Sequence, residues 1–307
     1  MRKNIMKEIV SISLGSSKRN HEAKINFLGE DFTIKRIGTD GDFRLAMEKL
    51  QELDGRVAAI GLGGVDVYLY SPNNKRYALK DGLKLMEAVK ITPVVDGSGL
   101  KNSLERETIK YIIENSVIEL KNKTVLMVSA MDRFGMAEAL LNAGCKMIYG
   151  DMIFALGLDK PIYDTNELIN YAEKLLPDIT KLPISMIYPT GKKQDAAPDP
   201  KFTKYYDMAD IIAGDFHFIK KYMPDNLKGK IIITNTVTKE DVEELKKRSV
   251  SVLITTTPEF EGRSFGTNVL EALLLAILGK KWEDVKEDDY IELIKKLNLK
   301  PRVVKLN

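Results

Sequence analysis

The constraint that bears hardest on this chain is a series of short apolar segments, almost unbroken in Val, Ile and Leu, each stopping at small or polar residues. In the C-terminal half they are TVLMVSA, KMIYGD, ADIIAGD, KIIITNT and SVLITTT. Segments so short and so apolar predict strands buried on both faces, which requires a parallel sheet with helices above and below it. FGMAEALLNAGC, the stretch after Thr165 running to about Leu176, and KEDVEELKKR read as the covering helices. The last of these opens with the capping box Thr238-x-x-Asp241. VLEALLLAIL, from Val269 to Leu278, predicts a core helix, being too short to span a bilayer and interrupted by Glu271.

The N-terminal half alternates in the same way. EIVSISLG reads as a strand, AKINFLGEDFTIKRIG as two strands around Gly29-Glu30-Asp31, and DGDFRLAMEKLQEL as a helix with Phe43, Met47, Leu50 and Leu53 on one face. VAAIGLGG is a buried strand ending in glycines, and YALKDGLKLMEAVK and SLERETIKYIIEN are helical. The polar ELKNK marks a boundary near residue 120. The fold class expected is α/β: an N-terminal α/β substrate domain over 1–120, then a Rossmann-like doubly wound parallel-sheet domain over 121–307. With 307 residues, 44% of them apolar, each domain has enough material for a core. Lys and Arg number 47 against 44 Asp and Glu, dispersed along the chain, so nucleic acid is not an expected partner. One cysteine, Cys145, and two histidines, His21 and His217, exclude a disulfide and make a metal site an unsupported expectation. The N-terminus alternates in polarity where a signal peptide is evenly apolar, so a cytoplasmic protein without a membrane partner is expected.

In an open parallel sheet, ligands lie outside the carboxyl ends of the strands. Those ends are Ser129-Ala130, Gly150-Asp151, Gly214-Asp215, Thr234-Asn235-Thr236 and Thr255-Thr256-Thr257, which predicts a shared crevice. SAMDRFG lacks the G-x-G-x-x-G fingerprint and keeps only Gly135 at the helix start, although Ser129 and Ala130 are small enough for a tight turn beneath a phosphate. Asp151 either reads a ribose or caps a helix, and His217 either moves a proton or packs between phenylalanines. Arg263 either clamps an anion or makes an ion pair while Ser264 or Thr267 caps the following helix. In SLGSSKRNH, Ser16, Ser17, Lys18 and Arg19 either hold a polar substrate or form a solvated turn. Asp96, between an apolar strand and Gly97-Ser98-Gly99, is either a turn residue or a working group.

The run DGSGLKNSL, from Asp96 to Leu104, resembles the N-T-D-G-x-G-F-x-x-S-L motif of the shikimate dehydrogenase family, and LKNKTVLMVSA looks like that family's entry into its cofactor domain. The whole chain is similar to bacterial proteins labelled quinate/shikimate 5-dehydrogenase-like. The resemblance implies an oxidoreductase passing a hydride between NAD(P) and a small hydroxylated acid in the interdomain cleft. Asp96 would act on the substrate hydroxyl, with Lys80 or His217 as proton partner. The nicotinamide would lie near Gly214 and Asn235, beside Thr236, and Ser16, Ser17 or Arg263 would take the substrate carboxylate. The family's lysine motif falls on GLGGVDVYL, from Gly61 to Leu69, which contains no lysine, so Lys75, Lys80 and Lys84 are the remaining candidates. Gly150-Asp151 in place of an N-R-T cluster favours NAD over NADP, and a homodimer is the expected assembly. The competing expectation is a non-redox protein that binds or senses a nucleotide or metabolite on the same fold, which accounts directly for the missing lysine and the altered glycine turn.

Overall fold

In the computed structural model, which describes residues 7–70, 75–187, 199–260 and 263–307, the apolar runs assemble into two main sheets. The first contains β1 (Lys7–Ser13), β2 (His21–Phe27), β3 (Glu30–Gly38), then, after helix α1 (Phe43–Leu53), β4 (Ala59–Gly63). A hairpin of β5 (Tyr68–Tyr70) and β6 (Arg76–Ala78) and helix α2 (Lys80–Glu87) precede its last strand, β7 (Val94–Val95). The order is β2-β3-β1-β4-β7, and only β2 runs antiparallel to its neighbour. Helix α3 (Ser98–Glu114) then carries the chain across to the second sheet.

That sheet opens with β8 (Thr124–Met127), helix α4 (Phe134–Asn142) and β9 (Lys146–Tyr149), followed by helices α5 (Asp151–Phe154), α6 (Thr165–Ile179), α7 (Ile184–Ile187) and α8 (Thr203–Met208). It continues through β10 (Ile211–Gly214), α9 (Phe216–Tyr222), β11 (Ile231–Thr234), α10 (Lys239–Lys247) and β12 (Val252–Thr255). After a hairpin of β13 (Glu259–Phe260) and β14 (Arg263–Ser264) come α11 (Thr267–Leu278), α12 (Glu287–Lys296) and β15 (Arg302–Lys305). The order is β15-β12-β11-β10-β8-β9, parallel except for β15 at the edge. Strand order reverses at β8, with β9 on one side and β10 on the other. The protein is thus α/β with two parallel-sheet layers, and the apolar runs serve both faces. Leu126, Ile212, Ile232 and Leu253 pack into one core, while Val125, Ile211, Ile233 and Ile254 pack into the other.

The path of α11 departs from simple chain order. It follows β12 in sequence yet packs on the first sheet, where Val269, Leu270 and Leu273 join Ile9, Ala59 and Val95. Glycines admit it: a Cβ on Gly61 would stand 2.8 Å from the Asn268 carbonyl oxygen, and one on Gly97, whose φ is +95°, 2.8 Å from the Asn268 nitrogen. The chain then returns through β15 to the edge of the second sheet. Within the range 121–307, α11 and α12 thus share a core with the first sheet. Most of YPTGKKQDAAPDPKF, expected to be a surface loop, lies outside the described residues. Among the described residues no helix is long and apolar enough to cross a membrane.

Because Gly97 combines a left-handed backbone with a close backbone approach, Gly97→Ala is expected to destabilise the protein by about 1–3 kcal/mol. Urea unfolding of the two proteins, compared at equal slope, measures the difference.

Candidate functional site

The carboxyl ends of both sheets open onto one cleft of about 190 Å³. Ser11 and Ser13 of β1 and Gly63-Gly64 at the end of β4 form one wall; Asp215 after β10 and Asn235-Thr236 after β11 form the other; Gly266 to Asn268 close it at the start of α11. Polar bonds tie the strand ends and the segment entering α11 together there. Asn268 donates to the Ser11 hydroxyl at 2.9 Å, the Thr257 hydroxyl to the Asn235 carbonyl at 3.0 Å, and the Thr236 hydroxyl to the Phe265 carbonyl at 3.3 Å.

Four carboxylates and two cations form the floor. Lys101, on α3, lies 2.7 Å from Asp132 and 3.3 Å from Asp66. Arg133, in the turn after β8, pairs with Glu105, lies 2.8 Å from Asp215 and 3.6 Å from Asp132. Burial opposes the charge on Lys101, but Asp132 and Asp66 outweigh it and raise its pKa. Burial likewise opposes ionisation of Asp215, and Arg133 overcomes it, holding the carboxyl down at about 2. Glu105 goes the other way, because its burial is not fully offset by Arg133. These side chains are mostly buried and joined by ion pairs, so they hold the cleft together.

The wall formed by the turn after β1 and by β3 is cationic. Arg36 donates to the Ser16 carbonyl at 3.0 Å, the Ser13 hydroxyl at 3.0 Å and the Asn20 side-chain oxygen at 3.4 Å, all neutral acceptors. Arg19 meets Nε2 of His217, on the opposite layer, at 3.5 Å. His21, facing Arg36 in the antiparallel β2–β3 register, stacks on Phe265 with ring centroids 5.2 Å apart. Burial lowers the His217 pKa, and Arg19 adds to the effect, against the pull of Asp215.

Several residues singled out from the sequence have other duties in the structure. Asp96 borders the cleft, but its Oδ2 accepts from the backbone nitrogens of Val67 (2.5 Å) and Tyr68 (3.0 Å), and its Oδ1 from the nitrogen (2.9 Å) and hydroxyl (2.6 Å) of Ser98. With four donors on two oxygens it anchors the loop after β4 to the start of α3, and the expected role on a substrate hydroxyl is corrected accordingly. Lys80 is exposed at the start of α2, away from the cleft, so it cannot be the proton partner. Asp151 accepts from the nitrogens of Ala130 (3.1 Å) and Met131 (2.8 Å), and burial pushes its carboxyl up to about 7. A ribose cannot reach a carboxylate so enclosed. The turn from Ser129 to Arg133 does not fit a dinucleotide pyrophosphate: its N–H groups serve Asp151, and Asp132 adds a second carboxylate. Gly135 lets α4 approach α3, since a Cβ there would lie 2.4 Å from the Asn102 side-chain oxygen. Gly214, at φ +125°, packs on Val128, and Ser129 accepts from the Asp215 nitrogen at 3.3 Å. Ser16 caps its own turn and Ser17 binds Asp40, both away from the cleft. Asn235, Thr236 and His217 do line it. Arg263 belongs to β14, and its side chain lies outside the described residues.

Lys101, Arg36, His21 and the Asp132-Arg133 pair were not singled out. A signal existed for Lys101: with Glu105 it forms an oppositely charged i,i+4 pair on the helix that joins the two sheets. Asp132 and Arg133 stand inside the SAMDRFG turn and are passed over when that turn is searched for glycines. Arg36 and His21 become neighbours only through strand pairing.

These features define a two-layer α/β protein with a polar cleft between the layers. The chain belongs to the family described as Domain of unknown function (DUF8754), whose model matches residues 99–306, and residues 8–96 match a second, Domain of unknown function (DUF8753). None of the curated proteins compared with the chain matches it. Solved structures aligning along most of the chain include a galactofuranose binding protein (12% identity, 95% of this chain and 98% of that one, TM-score 0.36). AraP, an arabinose binding protein from Geobacillus stearothermophilus, aligns at 11% identity over 98% of this chain and 97% of its own, with TM-score 0.39. A hetero-hexameric glutamate dehydrogenase from Thermus thermophilus aligns at 10% identity over 96% and 73%, with TM-score 0.42. Likenesses at that level say nothing about a ligand.

The expected membership of the shikimate/quinate 5-dehydrogenase-like family is corrected: the family models that match the chain are those described as domains of unknown function. The oxidoreductase reading falls with it. The motif that prompted them, Asp96 to Leu104, is a strand-to-helix junction whose aspartate is spent on backbone donors.

Two outcomes follow from the buried charges. Lys101→Met leaves Asp66 and Asp132 without their shared cation and is expected to cost about 3–5 kcal/mol, read by urea unfolding. Glu271 on α11 is buried, accepts from the Tyr290 hydroxyl at 2.7 Å, and has its pKa raised from 4.5 to about 8, by burial first and then by Asp96. Between those two values the folded state holds a proton that the unfolded chain releases, so this group's contribution falls as pH rises through that window. Glu271→Gln is expected to flatten the decline, seen as a smaller difference in urea midpoint between pH 5 and pH 8.5.

Proposed function

We propose that this protein binds a small polar metabolite in the cleft between its two layers, without redox chemistry. The carrying observation is the cleft itself: about 190 Å³, ringed by Ser11, Ser13, Asn235, Thr236 and Asn268, and placed where strand ends of both sheets converge. Drug-sized ligands occupy pockets of roughly 300–1,000 Å³, so this volume suits a compact metabolite and not a dinucleotide. Hydroxyl and amide groups on both walls orient such a ligand through directional hydrogen bonds. A ligand touching both layers also favours their closed arrangement, which makes binding a means of sensing.

A panel of small polar metabolites is expected to raise the melting temperature of the full chain, because a ligand of the folded state stabilises it by mass action. Thr236→Trp, which fills the cleft, abolishes the shift. NADH, titrated in parallel, gives no saturable change in nicotinamide fluorescence. Saturable NADH binding that Thr236→Trp removes would overturn the proposal.

A further inference from the structure

Resting on that reading of the cleft, we infer that its ligand carries an anionic group, a carboxylate or a phosphate, which seats against Arg19 and Arg36. The charge distribution leads there. Each acid of the floor is already engaged: Asp66 and Asp132 by Lys101, Glu105 and Asp215 by Arg133. Arg19 and Arg36 have no carboxylate within 4 Å among the described residues, although both line the same cleft. Among the described residues Arg36 bonds to neutral oxygens, and its pKa is drawn down to about 10 by burial and by the like charge of Arg19, against a weaker pull from Asp40. Asp40 itself accepts from the Ser17 nitrogen at 2.8 Å.

Two guanidinium groups held near each other, partly out of water and with no carboxylate in contact among the described residues, form an arrangement that an anion stabilises and a neutral ligand does not. The neutral acceptors have a further consequence. By fixing Arg36 through Ser13, Ser16 and Asn20, they orient its plane without cancelling its charge. Arg19 reaches His217 on the opposite layer, so an anion on the two arginines lies beside the point where the layers approach. The ligand would thereby link its own recognition to closure.

The test uses the purified full chain at constant ionic strength set with potassium chloride. Its probes are inorganic phosphate, acetate and the neutral polyol arabinitol, followed by melting temperature and by titration calorimetry. Binding of phosphate or acetate is expected, and whichever binds identifies the anionic group. Arg19→Gln and Arg36→Gln each weaken it about tenfold or more, the scale of a lost charge-assisted hydrogen bond. Arg19 sits in a partly exposed turn, so its variant is expected to keep the unliganded melting temperature even where the Arg36 variant does not. Arabinitol binding in the absence of anion binding, abolished by Thr236→Trp, would overturn the anionic inference and leave the cleft as a metabolite site. Anion binding that survives both arginine substitutions would overturn it as well. No probe binding at all would refute the anionic inference, while the wider metabolite panel decides the cleft reading separately.

Discussion

The buried ionic cluster at the base of the cleft is the constraint on which the rest of the structure depends. Lys101 and Glu105 project from one face of α3, the helix that joins the two layers, and Asp132-Arg133 occupy the first turn of the second layer. Asp66 of the first layer and Asp215 of the second complete the cluster. Charges so removed from water tolerate few geometries, since each must keep its partner or become a large liability. The ion pairs therefore set the relation between the layers more sharply than apolar packing alone, which is non-directional. The opening of the cleft, and the separation of its walls, follow from where these groups meet.

Above that floor, the acidic residues at loop ends act as fasteners for the backbone. Asp96 collects four donors, Asp151 takes two backbone N–H groups, and Asp54 takes those of Lys90, Ile91 and Thr92. Loops that approach one another without a shared strand must satisfy their N–H groups in some other way, and a carboxylate can serve several at once. This explains why Asp96 and Asp151, which look like candidates for chemistry, are engaged by the backbone. The polar groups of the walls include serines, threonines, asparagines, histidines and arginines.

The junction from Asp96 to Leu104 shows how a motif can be read correctly in form and wrongly in purpose. A strand, an aspartate, small residues and a helix are indeed present there. Gly97 is needed because its backbone is left-handed and meets the start of α11, and Ser98 supplies two donors to Asp96. Neither requirement depends on a substrate. The same stretch also contains Lys101, whose importance is invisible until Asp66 and Asp132 arrive from 35 residues upstream and 31 residues downstream.

Local sequence determined the α/β class, the buried parallel strands, the capping box at Thr238 and the apolar character of α11, because each depends on periodicity or on contacts within a few residues. It also pointed to Asn235, Thr236 and His217 as residues at strand ends, which the cleft includes. Tertiary structure alone decided that α11 seats on the first sheet, that His21 faces Arg36, that Asp151 is enclosed by the turn after β8, and that Arg19 reaches His217 across 198 positions of sequence. The physical reason is that a side chain's partners and hydration are set by what folds against it, and a single sequence encodes those long-range neighbours only through the assembled fold.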